Sequence, residues 1–129
     1  MNKRILIVVA NYYEQISKGL LENAKKSLPK SVKTKLIKVP GVFEIPVIIA
    51  KNIKKYDGFI ALGCVIRGET PHFNFISKAT IDGIMKISIE NKKPVGNGII
   101  TCLNQKQALS RKKKGREAAK AVLSVLDNF

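Results

Sequence analysis

The chain has 129 residues, 45% of them apolar, and carries 24 Lys+Arg against 9 Asp+Glu, a net charge of +15. Its Ile, Leu and Val are spread throughout, which excludes disorder, and the length suits one compact domain spanning 1–129. The longest apolar runs, Ile5 to Ala10 and Val47 to Ala50, fall far short of the ~20 residues of a membrane span. No small-residue cleavage site follows Met1, so a secretory leader is not expected. Cys64 and Cys102 each sit in an apolar stretch, the pattern of reduced core thiols and not of a disulfide framework. The expectation is a soluble cytoplasmic protein.

The charge surplus invites a polyanionic partner. Its make-up argues otherwise: 20 of the cations are lysine and 4 are arginine, while aromatics amount to 6% with no tryptophan. The Arg forks and stacking rings that read bases are nearly missing. A solvated lysine surface is therefore expected, with no nucleic-acid partner. Scarcity makes Arg4, Arg67, Arg111 and Arg116 individually informative.

Lys3 to Ala10 reads as a strand apolar on both faces, as in a parallel strand covered by helices on each side. Glu14 to Leu28 reads as a helix, with Ile16, Leu20, Leu21, Ala24 and Leu28 on one stripe and Pro29 ending it. Val32 to Val39 alternates, as a strand near a sheet edge does. Past Pro40-Gly41 a helix starts near Glu44, with Pro46 in its first turn. Gly58 to Ile66 is a third strand, His72 to Asn91 a long helix stopped before Pro94, and Val95 to Thr101 a fourth strand. Gln105 to Leu126 is helical, in two pieces broken near Gly115. This alternation predicts an α/β fold, a three-layer α/β/α sandwich with a four-stranded parallel sheet.

Open sheets of this kind collect ligands at the carboxyl ends of their strands. Four segments that look least like packing material follow those ends: Asn11-Tyr12-Tyr13, Pro40-Gly41-Val42-Phe43-Glu44, Arg67-Gly68-Glu69-Thr70-Pro71-His72, and 101–105. Their convergence on one rim marks an active site. In the third segment Thr70 suits an N-cap, Pro71 a first helical position and Gly68 a positive φ. Backbone N–H groups and the helix dipole then cradle a phosphate or carboxylate, although an ordinary capped helix start fits this segment equally. His72, the only histidine, follows directly and is suited to take or give a proton near neutral pH. One His and two separated Cys offer no metal-ligand spacing. Tyr12 or Tyr13 suits stacking on a planar heterocycle, and Arg111 offers a bidentate phosphate fork that a lysine cannot. Neither a dinucleotide fingerprint nor a Walker loop occurs.

Taken together, three stretches resemble the 6,7-dimethyl-8-ribityllumazine synthase family: Val39-Pro40-Gly41-Val42-Phe43-Glu44-Ile45-Pro46, the specific Leu62-Gly63-Cys64-Val65-Ile66-Arg67-Gly68-Glu69-Thr70-Pro71-His72-Phe73, and Gly98-Ile99-Ile100-Thr101 with Gln107-Ala108-Leu109-Ser110-Arg111. The resemblance covers almost the whole chain. It implies condensation of 5-amino-6-(D-ribitylamino)uracil with 3,4-dihydroxy-2-butanone 4-phosphate, without metal or organic cofactor, releasing phosphate and water. By position it implies that Tyr12 stacks on the pyrimidine, that Val42, Phe43 and Glu44 line the pocket, and that Cys64, Val65 and Ile66 meet the ring system through their backbone. Gly68, Glu69 and Thr70 match a phosphate cradle, Arg111 the phosphate-binding arginine, His72 the proton-transfer residue and Lys114 the lysine of a Lys-Gly pair. Asn97 stands where an aromatic residue is often found beside the heterocycle, and Tyr13 where a polar residue is common.

The resemblance further implies a site between neighbouring subunits of a pentamer, with the Arg111 region supplied by the neighbour. The chain starts almost directly at its first strand, and the stretch from Arg111 to Gly115 is shorter than the loop of shell-forming members. A pentamer is accordingly expected in preference to a sixty-subunit shell. Rival readings are a basic nucleic-acid-binding module and a flavin binder sharing the same flavodoxin-like topology.

Overall fold

The computed structural model describes residues 3–127. Strand β1 (Arg4–Ala10) leads through helix α1 (Glu14–Lys26) to β2 (Lys33–Val39), and a 3-10 turn at Val42–Glu44 runs into α2 (Ile45–Lys51). Then come β3 (Gly58–Ile66), α3 (His72–Asn91), β4 (Val95–Cys102), α4 (Gln105–Ser110) and α5 (Lys114–Leu126). The strands pair in the order β2-β1-β3-β4, all parallel. The three-layer sandwich read from the alternation is the fold adopted, with flavodoxin-like topology.

The apolar runs of β1 and β3 explain the layering, because each feeds two cores at once. Ile5, Ile7, Val9, Ile60 and Leu62 face α1 and α5, where Ile16, Leu20, Ala24, Ala119 and Val122 complete one cluster. Leu6, Val8, Phe59 and Ala61 face the other way, onto Ile45 and Ile49 of α2 and Ile84 of α3. β2 is an edge strand, as its alternation suggests, and exposes Lys33, Lys35 and Lys38. Among the described residues no helix is long and apolar enough to cross a membrane.

Three details differ from the sequence reading. The last helical stretch breaks at 111–113, whereas Gly115 lies inside the first turn of α5. A Cβ at Gly115 would collide with the Leu20 carbonyl oxygen, so this glycine serves a close approach of α5 to α1 and does not break the helix. At the start of α3 the capping position is Pro71, one residue later than Thr70; the Thr70 hydroxyl accepts only a long bond, 3.4 Å, from the His72 N–H. Gly68 does not adopt a positive φ, since none of the described glycines does.

Two substitutions test this packing. A Cβ at Gly96 would run into the Ala118 carbonyl of α5, so Gly96→Ala should cost about 1–3 kcal/mol through overpacking. Thr80 of α3 is 1% exposed and its hydroxyl has no partner among the described residues; Thr80→Val should stabilise by about 1 kcal/mol. Denaturant unfolding measures both.

Candidate active site

The rim at the carboxyl end of the sheet is built from the strand ends upward. At the end of β1 the buried Ser17 hydroxyl donates to the Ala10 carbonyl, and the Asn11 N–H donates to the Val39 carbonyl at 2.8 Å. These bonds fix the stretch that carries both tyrosines. Tyr12 is 75% exposed, and its ring meets that of Tyr13 edge-on, centroids 4.9 Å apart and planes at 83°. Tyr13 packs against the core on the α1 side. Burial raises its phenol pKa, helped by Tyr12 and Cys64, so it stays neutral at physiological pH.

After β2 the chain folds back over β3. Gly63 makes this fit possible, since a Cβ there would stand 2.6 Å from Val42 Cγ1 and 3.0 Å from the Ala10 Cβ. Val42 is therefore seated on the sheet, Phe43 is left exposed, and the Glu44 carboxylate accepts from the Gly41 N–H at 3.0 Å. Beyond β3 the ladder extends one residue, with the Arg67 N–H donating to the Cys102 carbonyl at 2.9 Å. Gly68, Glu69 and Thr70 form an exposed segment before His72, which opens α3 and is itself exposed. A Cβ at Gly68 would meet nothing within 4 Å. Neither φ nor packing within the chain demands glycine at that position.

These side chains do not gather around one cleft within the chain. They fall into two. The first, about 310 Å³, is lined by Tyr12, Tyr13, Gly41, Val42, Phe43, Cys64, Val65, Ile66, His72 and Ile76. The second, about 520 Å³, is lined by Asn97, Ile99, Ile100, Thr101, Ser110, Arg111, Lys113, Lys114 and Glu117. The register pairs Cys64 with Ile100 and Val65 with Thr101, so both clefts open at the same end of the sheet, the second along the outer edge of β4. Glu44, Gly68, Glu69 and Thr70 line neither; they lie in the loops beside the first.

The two halves differ in chemistry. The first is aromatic and apolar with one imidazole. The second is cationic: Arg111 Nη1 makes one long contact, 3.5 Å, to the Thr101 carbonyl, and Lys114 shares its charge with Glu117 at 3.9 Å. Asn97 turns its side-chain carbonyl back to accept from the Ile99 N–H at 3.0 Å on the unpaired edge. Ile76, Lys113 and Glu117 are lining residues that the motifs did not single out, and Tyr13, the alternative stacking ring, lines the first cleft beside Tyr12. For Tyr13 the signal was present in the sequence, as the second of two adjacent aromatics at a strand end. Among the described residues no three His, Cys, Asp or Glu side chains gather in a way that would hold a metal ion.

The family model described as 6,7-dimethyl-8-ribityllumazine synthase matches residues 2–129. The chain belongs to this lumazine synthase family. It is thus an enzyme, a transferase of lumazine synthesis. Relatives bearing that name include one from Bartonella bacilliformis, 42% identical over 136 residues, covering 98% of this chain and 90% of the relative. One from Agrobacterium fabrum is 40% identical over 136 residues, covering 95% and 92%. Another, from Bartonella henselae, is 44% identical over 132 residues, covering 95% and 85%.

The Cys64 thiol borders the first cleft, and burial, then the neighbouring Cys102, pushes its pKa from 9.0 to about 12. Below pH 9.0 native and unfolded thiols both keep their proton; from there to about 12 the unfolded thiol ionises first, so this site makes stability fall as pH rises. The loss of stability over that alkaline window should be smaller in Cys64→Ala than in wild type, measured by denaturant unfolding across it.

Proposed function

We propose that the chain condenses 5-amino-6-(D-ribitylamino)uracil with 3,4-dihydroxy-2-butanone 4-phosphate to 6,7-dimethyl-8-ribityllumazine, phosphate and water, a step of riboflavin biosynthesis. It works in the cytoplasm without metal or organic cofactor. One observation carries this reading: an aromatic half-site holding the histidine and a cationic half-site open along the same sheet end, in a chain of this family.

The free face of Tyr12, braced edge-on by Tyr13, stacks on the pyrimidine, with Val42, Phe43 and Glu44 bounding it. Backbone at Cys64, Val65 and Ile66 meets the ring edge. Arg111 and Lys114 hold the phosphate ester from one side; Gly68, Glu69, Thr70 and the start of α3 hold it from the other. Asn97 borders the heterocycle from the cationic half. The amine then attacks the carbonyl, phosphate leaves, and tautomerisation and ring closure follow with loss of water, His72 moving the protons. Both reactants are intrinsically reactive, so alignment supplies most of the acceleration.

Two half-sites that share no lining residue make one site when neighbouring subunits contribute one each. Two features support such an assembly. The outer edge of β4 has no strand partner among the described residues. Beside it α3 exposes Phe75, Met85 and Ile89, and Met85 shares a small apolar slot with Val95 and Asn97 of β4. The assembly is a homo-pentamer and not a sixty-subunit shell, and its ligands are small molecules, with no nucleic acid.

Turnover of the two substrates, followed by lumazine absorbance, tests the activity, and native mass measurement tests the pentamer. His72→Ala should lower kcat by about 10²-fold without abolishing it. Arg111→Ala should raise KM for the phosphate ester about tenfold and change kcat little. At phosphate-ester concentrations well below KM, assemblies mixed from His72→Ala and Arg111→Ala subunits should exceed the mean activity of the two variants kept apart, because about one site in four then has both native halves. A site contained in one subunit would show no such excess.

A further inference from the structure

Arg111 presents a problem of positioning. Its side chain is exposed, and a 3.5 Å contact to one carbonyl does little to hold a long, flexible chain. Only residues 111–113 separate α4 from α5. That link is wound tightly, with the Arg111 N–H donating to the Ala108 carbonyl at 3.1 Å and the Lys114 N–H to the Arg111 carbonyl at 3.0 Å. Yet a short turn between two helices pivots unless something outside it grips it.

The grip comes from α1. Arg111 and Lys113 are exposed, whereas Lys112 between them is half-buried. A Cβ on Gly19 would lie on the Lys112 stem, 2.8 Å from Cγ and 3.3 Å from Cβ. The stem thus fills the place of a side chain that position 19 lacks. One turn further along, Gly115 lets α5 rest on the backbone of Leu20, and a Cβ there would also come within 3.2 Å of the Ala24 nitrogen. The turn is thus held against α1 at its middle residue and again just beyond its C-terminal end. Lys112 enters no ion pair among the described residues, so packing of its methylenes is what it contributes.

We propose that Lys112 is a positioning residue: seated on Gly19, it fixes the 111–113 turn and through it aims the Arg111 guanidinium into the cationic half-site. Successive residues of a helical turn point in directions about 100° apart, so pinning the stem at 112 sets the root direction of 111. The phosphate ester then meets a fork already in place, and less ordering is needed on binding. This role rests on reading Arg111 as the phosphate ligand.

The test compares Lys112→Ala, which removes the stem, with Lys112→Met, which keeps the stem and removes the charge. Gly19→Ala fills the seat from the other side, and Arg111→Ala is the control. Steady-state kinetics with both substrates and amide hydrogen exchange across 108–116 of the unliganded enzyme are the readouts. Lys112→Ala should raise KM for the phosphate ester about three- to tenfold while kcat and the KM for the pyrimidine move about twofold or less. Its turn amides, and those of Gly19→Ala, should exchange faster, while Lys112→Met should match wild type in both readouts. The proposal is overturned if Lys112→Met behaves like Lys112→Ala, which would make the charge responsible. It is equally overturned if Lys112→Ala leaves KM and exchange unchanged while Arg111→Ala raises KM. If Arg111→Ala itself leaves that KM unchanged, the reading of Arg111 falls and the positioning role falls with it.

Discussion

At Gly96 the main chain of α5 comes so near β4 that a single methyl group would strike the Ala118 carbonyl, and at Gly115 the same helix meets the main chain of α1. Small residues on the facing surfaces, Ala24, Ala118 and Ala119, keep that approach close. The height of α5 above the sheet is therefore set by backbone contact and not by interdigitated side chains, which leaves little room for adjustment. Everything on the cationic side depends on it, because the turn bearing Arg111 hangs between α4 and α5. The opposite face uses the same device: Gly63 opens a seat for Val42 and so delivers Phe43 and Glu44 to the sheet end. Both halves of the candidate site are located by places where a strand or helix lacks a side chain.

Electrostatics have little part in holding this architecture together. With a net charge of +15, the described residues form two ion pairs, Lys78–Asp82 and Lys114–Glu117, both on solvent-facing helix surfaces. Such pairs contribute at most about 1 kcal/mol each. The two apolar layers carry the stability, and the lysine surplus governs solution behaviour. Arg111 belongs to the same background, since it enters no ion pair among the described residues and its one contact is the Thr101 carbonyl beside the cleft.

Much of the fold was legible because the signals were local. β3 and α3 have the limits that their apolar runs and flanking Pro, Gly and Asn residues suggest, and the edge position of β2 follows from its alternation. What misled was the meaning of glycine. Gly115 looked like a helix breaker and Gly68 like a positive-φ residue, but the first serves a contact with α1 some ninety residues away in the chain, and the second has ordinary φ in open space. No local pattern encodes a tertiary approach of that kind. Convergence on one sheet end was readable from the alternation, whereas the division into two clefts depends on how α3 and α5 lie on opposite faces of β4, which no motif records. Which of Tyr12 and Tyr13 offers its face was left open for a similar reason: the brace of one against the other is a matter of ring angle.

The two borders of the sheet are unlike. β2 ends one side with Lys33, Lys35 and Lys38, a fringe that discourages a stray strand from annealing there. β4 ends the other with no charged residue, and among the described residues only Asn97, folded back on Ile99, masks one of its outward amides. A newly synthesised copy therefore has one guarded flank and one adhesive flank. Its solubility as a lone polypeptide depends on how quickly that bare flank finds cover.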